Sequence, residues 1–187
     1  LKHASREDLD PASTVYVGTH YEYTVQAQLR RVGIVTQRIG GANDRGVDLL
    51  GTWQLPTTYA PVRLFAQCKV LSEDKTSTKL IRELEGSFGG APGMWKEPGT
   101  IGLLVTTKGA SKPLRAAVQR SVWPMGFVMC SREGKLLQMA WNKKADELGL
   151  QGIAVITAYS PSGDSEIGLS WRGKNIGRFF AEDRPEN

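Results

Sequence analysis

Apolar residues recur along this chain in two rhythms. Tyr21, Val25, Leu29 and Val32 fall three or four apart, the spacing that lines one side of a helix, and Gly33 ends the run. The pattern predicts a helix that starts just after Thr19. Residues 34–39 read as a first strand, 47–53 as a second and 63–71 as a third, buried one. Gly40, Gly41, Asn43 and Asp44 supply turn chemistry between the first two, and residues 56–61 form a Pro-bounded loop. A polar stretch, 72–78, precedes a helix over 79–88 with Leu80, Ile81, Leu84 and Phe88 on its apolar side. Residues 89–99, broken by Gly and Pro around Met94 and Trp95, are expected to form a mobile loop. Residues 100–106 read as a buried strand. Ser111 then caps a helix with Pro113 in its first turn, and 126–130 form a further strand.

This order of strand, helix, strand, helix, strand argues a mixed α/β sheet with helices on its faces. Residues 136–141 fit either a strand or a short helix, and 145–150 fit a short helix. From residue 152 to 180 the pattern turns all-β, with strands at 153–159, 167–171 and 175–180 around Arg172-Gly173-Lys174.

Composition narrows the class. A chain of 187 residues can bury one good core, and 40% hydrophobic with 23% charged residues fits an ordered soluble domain. No apolar run approaches the roughly 18–20 residues of a membrane helix, so no membrane span is expected. The net charge of +5 favours polyanionic partners without identifying one. Cys68 and Cys130 lack any CxxC spacing, which excludes zinc-ribbon and thioredoxin-type chemistry and makes a reducing compartment the simpler expectation. The chain begins at Leu1 rather than Met, as a trimmed chain would, and a removed targeting segment is compatible with it.

Candidate chemistry lies in three pieces: Glu22, Asp48, and the pair Gln67 and Lys69. Strand alternation sends Gln67 and Lys69 to one face, and Ala66, Cys68 and Val70 to the other. A lysine inside an apolar strand is costly to bury without a partner. Asp48 on the preceding strand is the expected partner, facing away from the side of Val47 and Leu49. Acids and a lysine that converge in this way can hold a hard cation and manage charge on a phosphodiester.

Each position also has a plainer reading. Thr19 to Glu22 fits a capping box, and Asp48 with Lys69 fits a cross-strand ion pair. Asp44 is a turn residue. Glu83 and Glu85 are solvated, with Lys79 and Glu83 an i,i+4 pair. His20 flanks the site or the surface, and Cys68 is core packing.

The order and spacing of these pieces resemble the PD-(D/E)xK nuclease superfamily, in the Q-x-K form of Mrr-like restriction endonucleases. The resemblance is carried by Asp44-Arg45-Gly46-Val47-Asp48 and Gln67-Cys68-Lys69. It continues through Arg82-Glu83-Leu84-Glu85-Gly86, the strand ending in Thr106-Thr107, and Leu114-Arg115-Ala116-Ala117, over roughly residues 16–131. Within that superfamily the chain is similar to a fungal mitochondrial group, the "required for respiratory growth" endonuclease-like proteins. Trp141-Asn142, Leu148-Gly149-Leu150 and Leu169-Ser170-Trp171-Arg172-Gly173-Lys174 carry this narrower likeness.

The resemblance implies a restriction-endonuclease-like three-layer α/β/α fold with a central mixed sheet and a small C-terminal β-rich extension. Residues 1–15 would be a flexible N-terminal arm, 16–150 the nuclease domain and 151–187 the extension. It implies a metal-dependent DNA endonuclease in mitochondrial DNA maintenance, with Mg²⁺ or Mn²⁺ as cofactor. Asp48 would be the principal ligand. Gln67 would add a neutral side-chain oxygen, and the Cys68 carbonyl another. Glu22 would reach in from the first helix to hold a metal-bound water or a second cation. Lys69 would ease hydroxide formation or stabilise phosphate charge. Gln67 stands where the superfamily pattern has a second carboxylate, and an amide donates less charge to a hard cation.

For DNA as partner, Arg30, Arg31, Lys108, Lys112, Arg115 and Arg120 are candidate phosphate contacts, with Arg172 and Lys174 at a hairpin tip. Two alternatives stay open. One is a catalytically inactive nucleic-acid-binding module with the same fold and a basic face. The other is a structure-selective enzyme like the archaeal junction resolvases, which share this fold and work as homodimers.

Overall fold

The computed structural model describes residues 13–39, 46–72, 76–159 and 163–177. Asp44 and residues 1–12 lie outside them, so the turn and most of the expected arm do too. Helix α1 spans Thr14–Arg31, and the Ser13 hydroxyl caps it by accepting from the Tyr16 N–H at 3.2 Å. It starts earlier than the apolar spacing predicts. Its first turns lie toward solvent, with Val15 61% exposed, so no buried stripe marks them. Thr19 is therefore inside the helix, and the expected capping box with Glu22 does not form.

Strands β1 (Ile34–Arg38), β2 (Leu49–Trp53), β3 (Val62–Lys69), β4 (Thr100–Thr106), β5 (Met125–Cys130) and β6 (Leu136–Trp141) make a six-stranded sheet in that spatial order. The β1–β2–β3 part is antiparallel. β3, β4 and β5 run parallel, and β6 returns antiparallel to β5. The ambiguous segment 136–141 is thus a strand that closes the sheet.

Helices α2 (Lys79–Gly90) and α3 (Lys112–Arg120) follow β3 and β4. The Ser111 hydroxyl caps α3 through the Leu114 N–H at 3.3 Å, as the sequence predicts. Two apolar layers sandwich the sheet. On one face Tyr21, Val25 and Leu29 of α1 pack on Leu49, Leu64, Leu103 and Val128. On the other, Ile81, Leu84 and Phe88 of α2 and Leu114 and Val118 of α3 pack on Leu50, Phe65, Leu104 and Phe127. Alternation along each strand feeds both layers, which gives the expected three-layer arrangement.

The segment 89–99 is tied down rather than loose: it holds a tight turn, Gly93–Lys96, and the Trp95 indole N–H donates to the Gly51 carbonyl at 3.1 Å. A second, three-stranded sheet of β7 (Ile153–Tyr159), β8 (Ser165–Trp171) and β9 (Lys174–Ile176) adds Ile153, Ile167 and Leu169 to the α1-side core. The chain leaving β9 runs hard against α1. Gly177 has φ +83°, and a Cβ there would lie 1.8 Å from the Arg31 carbonyl oxygen.

Candidate functional site

The site is a fork between β2 and β3. Their ladder runs as far as Leu49 opposite Ala66, and the Asp48 N–H still donates to the Ala66 carbonyl at 3.0 Å. At the next donor of β3 a side chain replaces the backbone. The Cys68 N–H donates to Asp48 Oδ2 at 2.6 Å. Meanwhile β3 stays paired with β4 as far as Lys69 opposite Thr106, so β3 parts from β2 while its other edge remains covered. The Ile39 N–H donates to the Asp48 carbonyl at 3.0 Å, which fixes Asp48 from the β1 side.

The approach to Asp48 departs from simple alternation. Val47 belongs to the α2-side core and Leu49 to the α1-side core, so they do not share a face as the sequence reading supposed. A left-handed backbone at Gly46 (φ +80°) comes just before this irregular step. A Cβ on Gly46 would meet Ser87 Oγ at 2.9 Å and Gln67 Nε2 at 3.0 Å, so a glycine is required there for two reasons.

Gln67 is 4% exposed, and its Oε1 has no hydrogen-bond partner among the described residues. Lys69 is 35% exposed, and its Nζ lies 3.6 Å from Glu83 Oε2 on α2. The expected Asp48–Lys69 ion pair is therefore replaced by a Lys69–Glu83 pair, because α2 packs over the face where Lys69 emerges. Glu83 also lies 3.8 Å from Lys79 Nζ, as expected. Glu85 is not simply solvated: its Oε1 accepts from the Ser121 hydroxyl at 2.7 Å.

Glu22 is held by an ion pair. Its Oε2 accepts from the Nε–H of Arg38, and the two side chains are 14% and 21% exposed. Arg38 also donates to Thr19 Oγ1 at 3.3 Å and lies 5.7 Å from the centre of the Tyr23 ring. Partial burial alone would lower the guanidinium pKa. The bond to Glu22, with the charges of Glu22, Tyr23 and Asp48, outweighs it and holds Arg38 above its ordinary value. Arg38 is a site residue that sequence reasoning missed. The signal was present in β1, where Ile34, Thr36 and Arg38 share a face by alternation.

Burial, then the charges of Asp48 and Glu22, push the half-buried Cys68 thiol well above its usual range. Burial likewise pushes Cys130 up to about 12, and raises the Tyr21 phenol, which donates to the Cys130 carbonyl at 2.8 Å. Both thiols are thus protonated core groups, as read for Cys68.

The fork offers one anionic oxygen donor on Asp48 and one neutral, unpartnered oxygen on Gln67. The Cys68 main chain lies beside them, and neither thiol nearby is available as a soft ligand. Hard oxygen donors of this kind fit Mg²⁺ or Mn²⁺ with water completing the shell. Among the described residues no group of three or more His, Cys, Asp or Glu side chains could hold a metal ion. Glu22 does not join Asp48 in such a cluster.

The basic candidates do not form one face. Arg31 donates to Gln28 Oε1 at 2.8 Å and to Glu166 Oε2 at 2.6 Å, which ties α1 to β8. Arg30 is exposed at the end of α1, while Lys112, Arg115 and Arg120 are exposed on α3 across the sheet. Lys108 is half-buried. Arg172 and Lys174 are exposed at the β8–β9 hairpin. There Arg172 takes φ +49° and stacks its guanidinium 4.5 Å from the Trp171 ring centre. His20 is exposed on the surface of α1 and stacks on Tyr16.

A family model described as "Required for respiratory growth protein 7" matches residues 13–62 and 56–159. The chain belongs to this family. Its Required for respiratory growth protein 7 relatives include the mitochondrial protein of that name from Vanderwaltozyma polyspora. That protein is 30% identical, over 41% of this chain and 47% of the relative. The Saccharomyces cerevisiae protein of the same name is 27% identical over 41% and 48%. An uncharacterized mitochondrial protein of Schizosaccharomyces pombe is 28% identical over 78% of this chain and 58% of its own length. The chain spans about half the length of the curated relatives it matches.

Among solved structures, the MspJI restriction endonuclease in complex with a 27-mer oligonucleotide aligns at a TM-score of 0.38 and 16% identity. The alignment covers 58% of this chain and 25% of that one, and a score of this size does not establish a common fold. Glu22, Asp48, Gln67 and Lys69 all fall within the Required for respiratory growth protein 7 match, whereas β8 and β9 lie beyond it.

Proposed function

We propose that the β2–β3 fork is a metal-dependent phosphodiester-hydrolysing site and that this chain acts as a mitochondrial DNA endonuclease. The observation that carries this reading is the buried, unpartnered Oε1 of Gln67, one residue before Cys68, whose N–H binds the Asp48 carboxylate. A buried acceptor without a partner is unfavourable by about 1–3 kcal/mol. An oxygen-seeking cation at the fork would satisfy it. The family's mitochondrial members agree with the location, and the Q-x-K pattern agrees with the chemistry.

Mg²⁺ or Mn²⁺, when bound, would polarise the phosphodiester and acidify an attacking water. Asp48 and Gln67 would hold it, with the Cys68 carbonyl as a third oxygen. Three backbone groups fix Asp48, so its carboxylate would need little reorganisation on binding. Lys69 would place a positive charge where the phosphate becomes more negative, and Glu83 would hold that ammonium at the rim. Arg38 between Glu22 and Asp48 would moderate their mutual repulsion, so Glu22 would act on the site through Arg38.

One observation favours a second reading, a non-catalytic DNA-binding module. Glu22 is committed to Arg38, and the described residues contain no multi-carboxylate cluster. Cleavage of linear, single-stranded, supercoiled and four-way-junction DNA with Mg²⁺, Mn²⁺ or EDTA separates the two. Asp48→Ala is expected to reduce metal-dependent cleavage at least about 100-fold, the scale of removing a group that stabilises developing charge, with DNA binding retained. Cleavage by the variant at the wild-type rate would remove the fork from the chemistry. Absence of cleavage by the wild type, with equal binding by both proteins, would favour the module. A junction preference would point to a structure-selective enzyme.

Affinity for DNA is expected to fall about 100-fold between 50 and 200 mM salt if roughly four phosphates are neutralised. A flat response would indicate a different partner.

A further inference from the structure

A cavity of about 250 Å³ opens on the α1 face of the sheet. It is lined by Tyr16, Val17, His20 and Tyr21 of α1 together with Val70 and Arg132. It is linked to the site along the chain, on the sheet face opposite to the one where Lys69 meets α2. Cys68, whose N–H binds Asp48, packs with Val70 against the α1-side core, and Tyr21 precedes Glu22 on α1. The cavity is smaller than the roughly 300–1,000 Å³ of drug-sized pockets, so it suits a single flat ring.

Its lining has chemistry that the fold leaves unused. The Tyr16 and His20 rings lie 6.2 Å apart at 26°, a loose stack that leaves ring faces available, and His20 is exposed. The His20 side chain makes no hydrogen bond among the described residues, and its backbone carbonyl accepts from Thr24. Arg132 is exposed on the turn after β5 and forms no salt bridge among the described residues. Val17 and Val70 supply apolar walls. Aromatic faces, apolar walls and one free guanidinium match a nucleobase together with its adjoining phosphate. Stacking of this kind tolerates any base, because every base has a π face.

We infer that this cavity receives an unpaired nucleobase, with Arg132 on the flanking phosphate, so that the bound nucleic acid carries a single-stranded nucleotide there. The inference deepens the nuclease reading of the fork and rests on it for its place in a reaction. A base inside an intact duplex is stacked and cannot enter, so single strands, flaps or junction arms would be preferred over blunt duplex. A free nucleoside monophosphate shares the same chemistry.

The test measures binding in EDTA, so it does not depend on cleavage. The probe is a short oligothymidylate with one 2-aminopurine, whose emission reports stacking, compared with a blunt duplex and with free dAMP. The full chain is used as wild type, Asp48→Ala, Tyr16→Ala, His20→Ala, Arg132→Gln and, as a control in the turn after β6, Lys143→Gln. Thermal melts confirm that each variant folds.

Wild type and Asp48→Ala are expected to quench 2-aminopurine equally. Tyr16→Ala and His20→Ala should each weaken single-strand binding about tenfold and relieve quenching. Arg132→Gln should lower the slope of log affinity against log salt by about 0.7, with Lys143→Gln leaving the quenching unchanged. Quenching that is the same in the cavity variants as in wild type would overturn the inference, as would a wild type that fails to bind the single strand. Free dAMP bound as tightly as the oligonucleotide would make this a nucleotide pocket and also overturn it. If cleavage is absent while quenching depends on Tyr16 and His20, the pocket stands and the nuclease reading falls.

Discussion

Two buried amides sit at opposite ends of the parallel strands, and their surroundings differ sharply. Asn142 is 1% exposed and fully engaged. Its Oδ1 accepts from the Met125 and Ala145 N–H groups, each at 3.1 Å. Its Nδ2 lies 3.1, 3.3 and 2.8 Å from the carbonyls of Val118, Ser121 and Trp123. One side chain thus joins the end of α3, the start of β5 and the turn after β6. Gln67 is nearly as buried, yet its oxygen faces no donor. The first amide closes a joint by meeting every need around it. The second keeps an acceptor open, which is what a cation site requires and what a structural joint cannot tolerate.

The largest expected effect comes from breaking the joint. Asn142→Ala leaves the buried Met125 N–H without its side-chain acceptor and takes a donor from the carbonyls of Ser121 and Trp123, and should destabilise the chain by about 3 kcal/mol. For a chain of this size the midpoint of thermal unfolding would drop by about 6–12 °C. Cleavage measured well below that midpoint should be little changed. A shift of under about 2 °C would mean the network adds nothing net.

At the fork the sign should reverse. Gln67→Met removes an unpartnered oxygen and keeps the volume, so stability in EDTA should hold or rise by about 1 kcal/mol. Stabilisation by Mn²⁺ and metal-dependent cleavage should both weaken. A loss of stability as large as that of Asn142→Ala would show that the Gln67 oxygen is satisfied, and the contrast between the two amides would collapse.

The smallest effect tests the rim. Glu83→Gln removes the partner of a lysine that is 35% exposed. Stability should change by less than about 0.5 kcal/mol, since such pairs are screened by solvent. A cleavage rate reduced several-fold, without altered DNA binding, would mark Glu83 as a residue that positions Lys69. An unchanged rate would confine Glu83 to the surface.

The strands of the central sheet were legible because β-branched and apolar runs bounded by turn residues have few other ways to fold. The Ser111 cap of α3 was legible for a similarly local reason. The start of α1 was not, because its first turns face solvent and carry no apolar stripe, although Ser13 marks the cap. The donors converging on Asp48 were only half legible. The order of the motifs placed Asp48 beside Gln67, but the step at Gly46 and Val47 that breaks alternation depends on how the chain turns into β2. Lys69 found Glu83 instead of Asp48 because α2 lies over that face, and sequence distance does not reveal which of two acids is nearer. Arg38 went unread as a site residue because a charged residue ending a strand is ordinary until a helix sets a carboxylate over it.

Local chemistry in the sequence determined the element order, the two-sided core, the glycine before Asp48 and membership of a family with mitochondrial relatives. These follow from side-chain period, backbone sterics and motif spacing, all of which act over a few residues. The tertiary structure alone decided where β2 and β3 part, which carboxylates pair with Lys69 and Arg38, and that one buried amide oxygen is left open. Those outcomes depend on the packing of α1 and α2 across opposite faces of one sheet, where contacts between distant segments are set by the whole core.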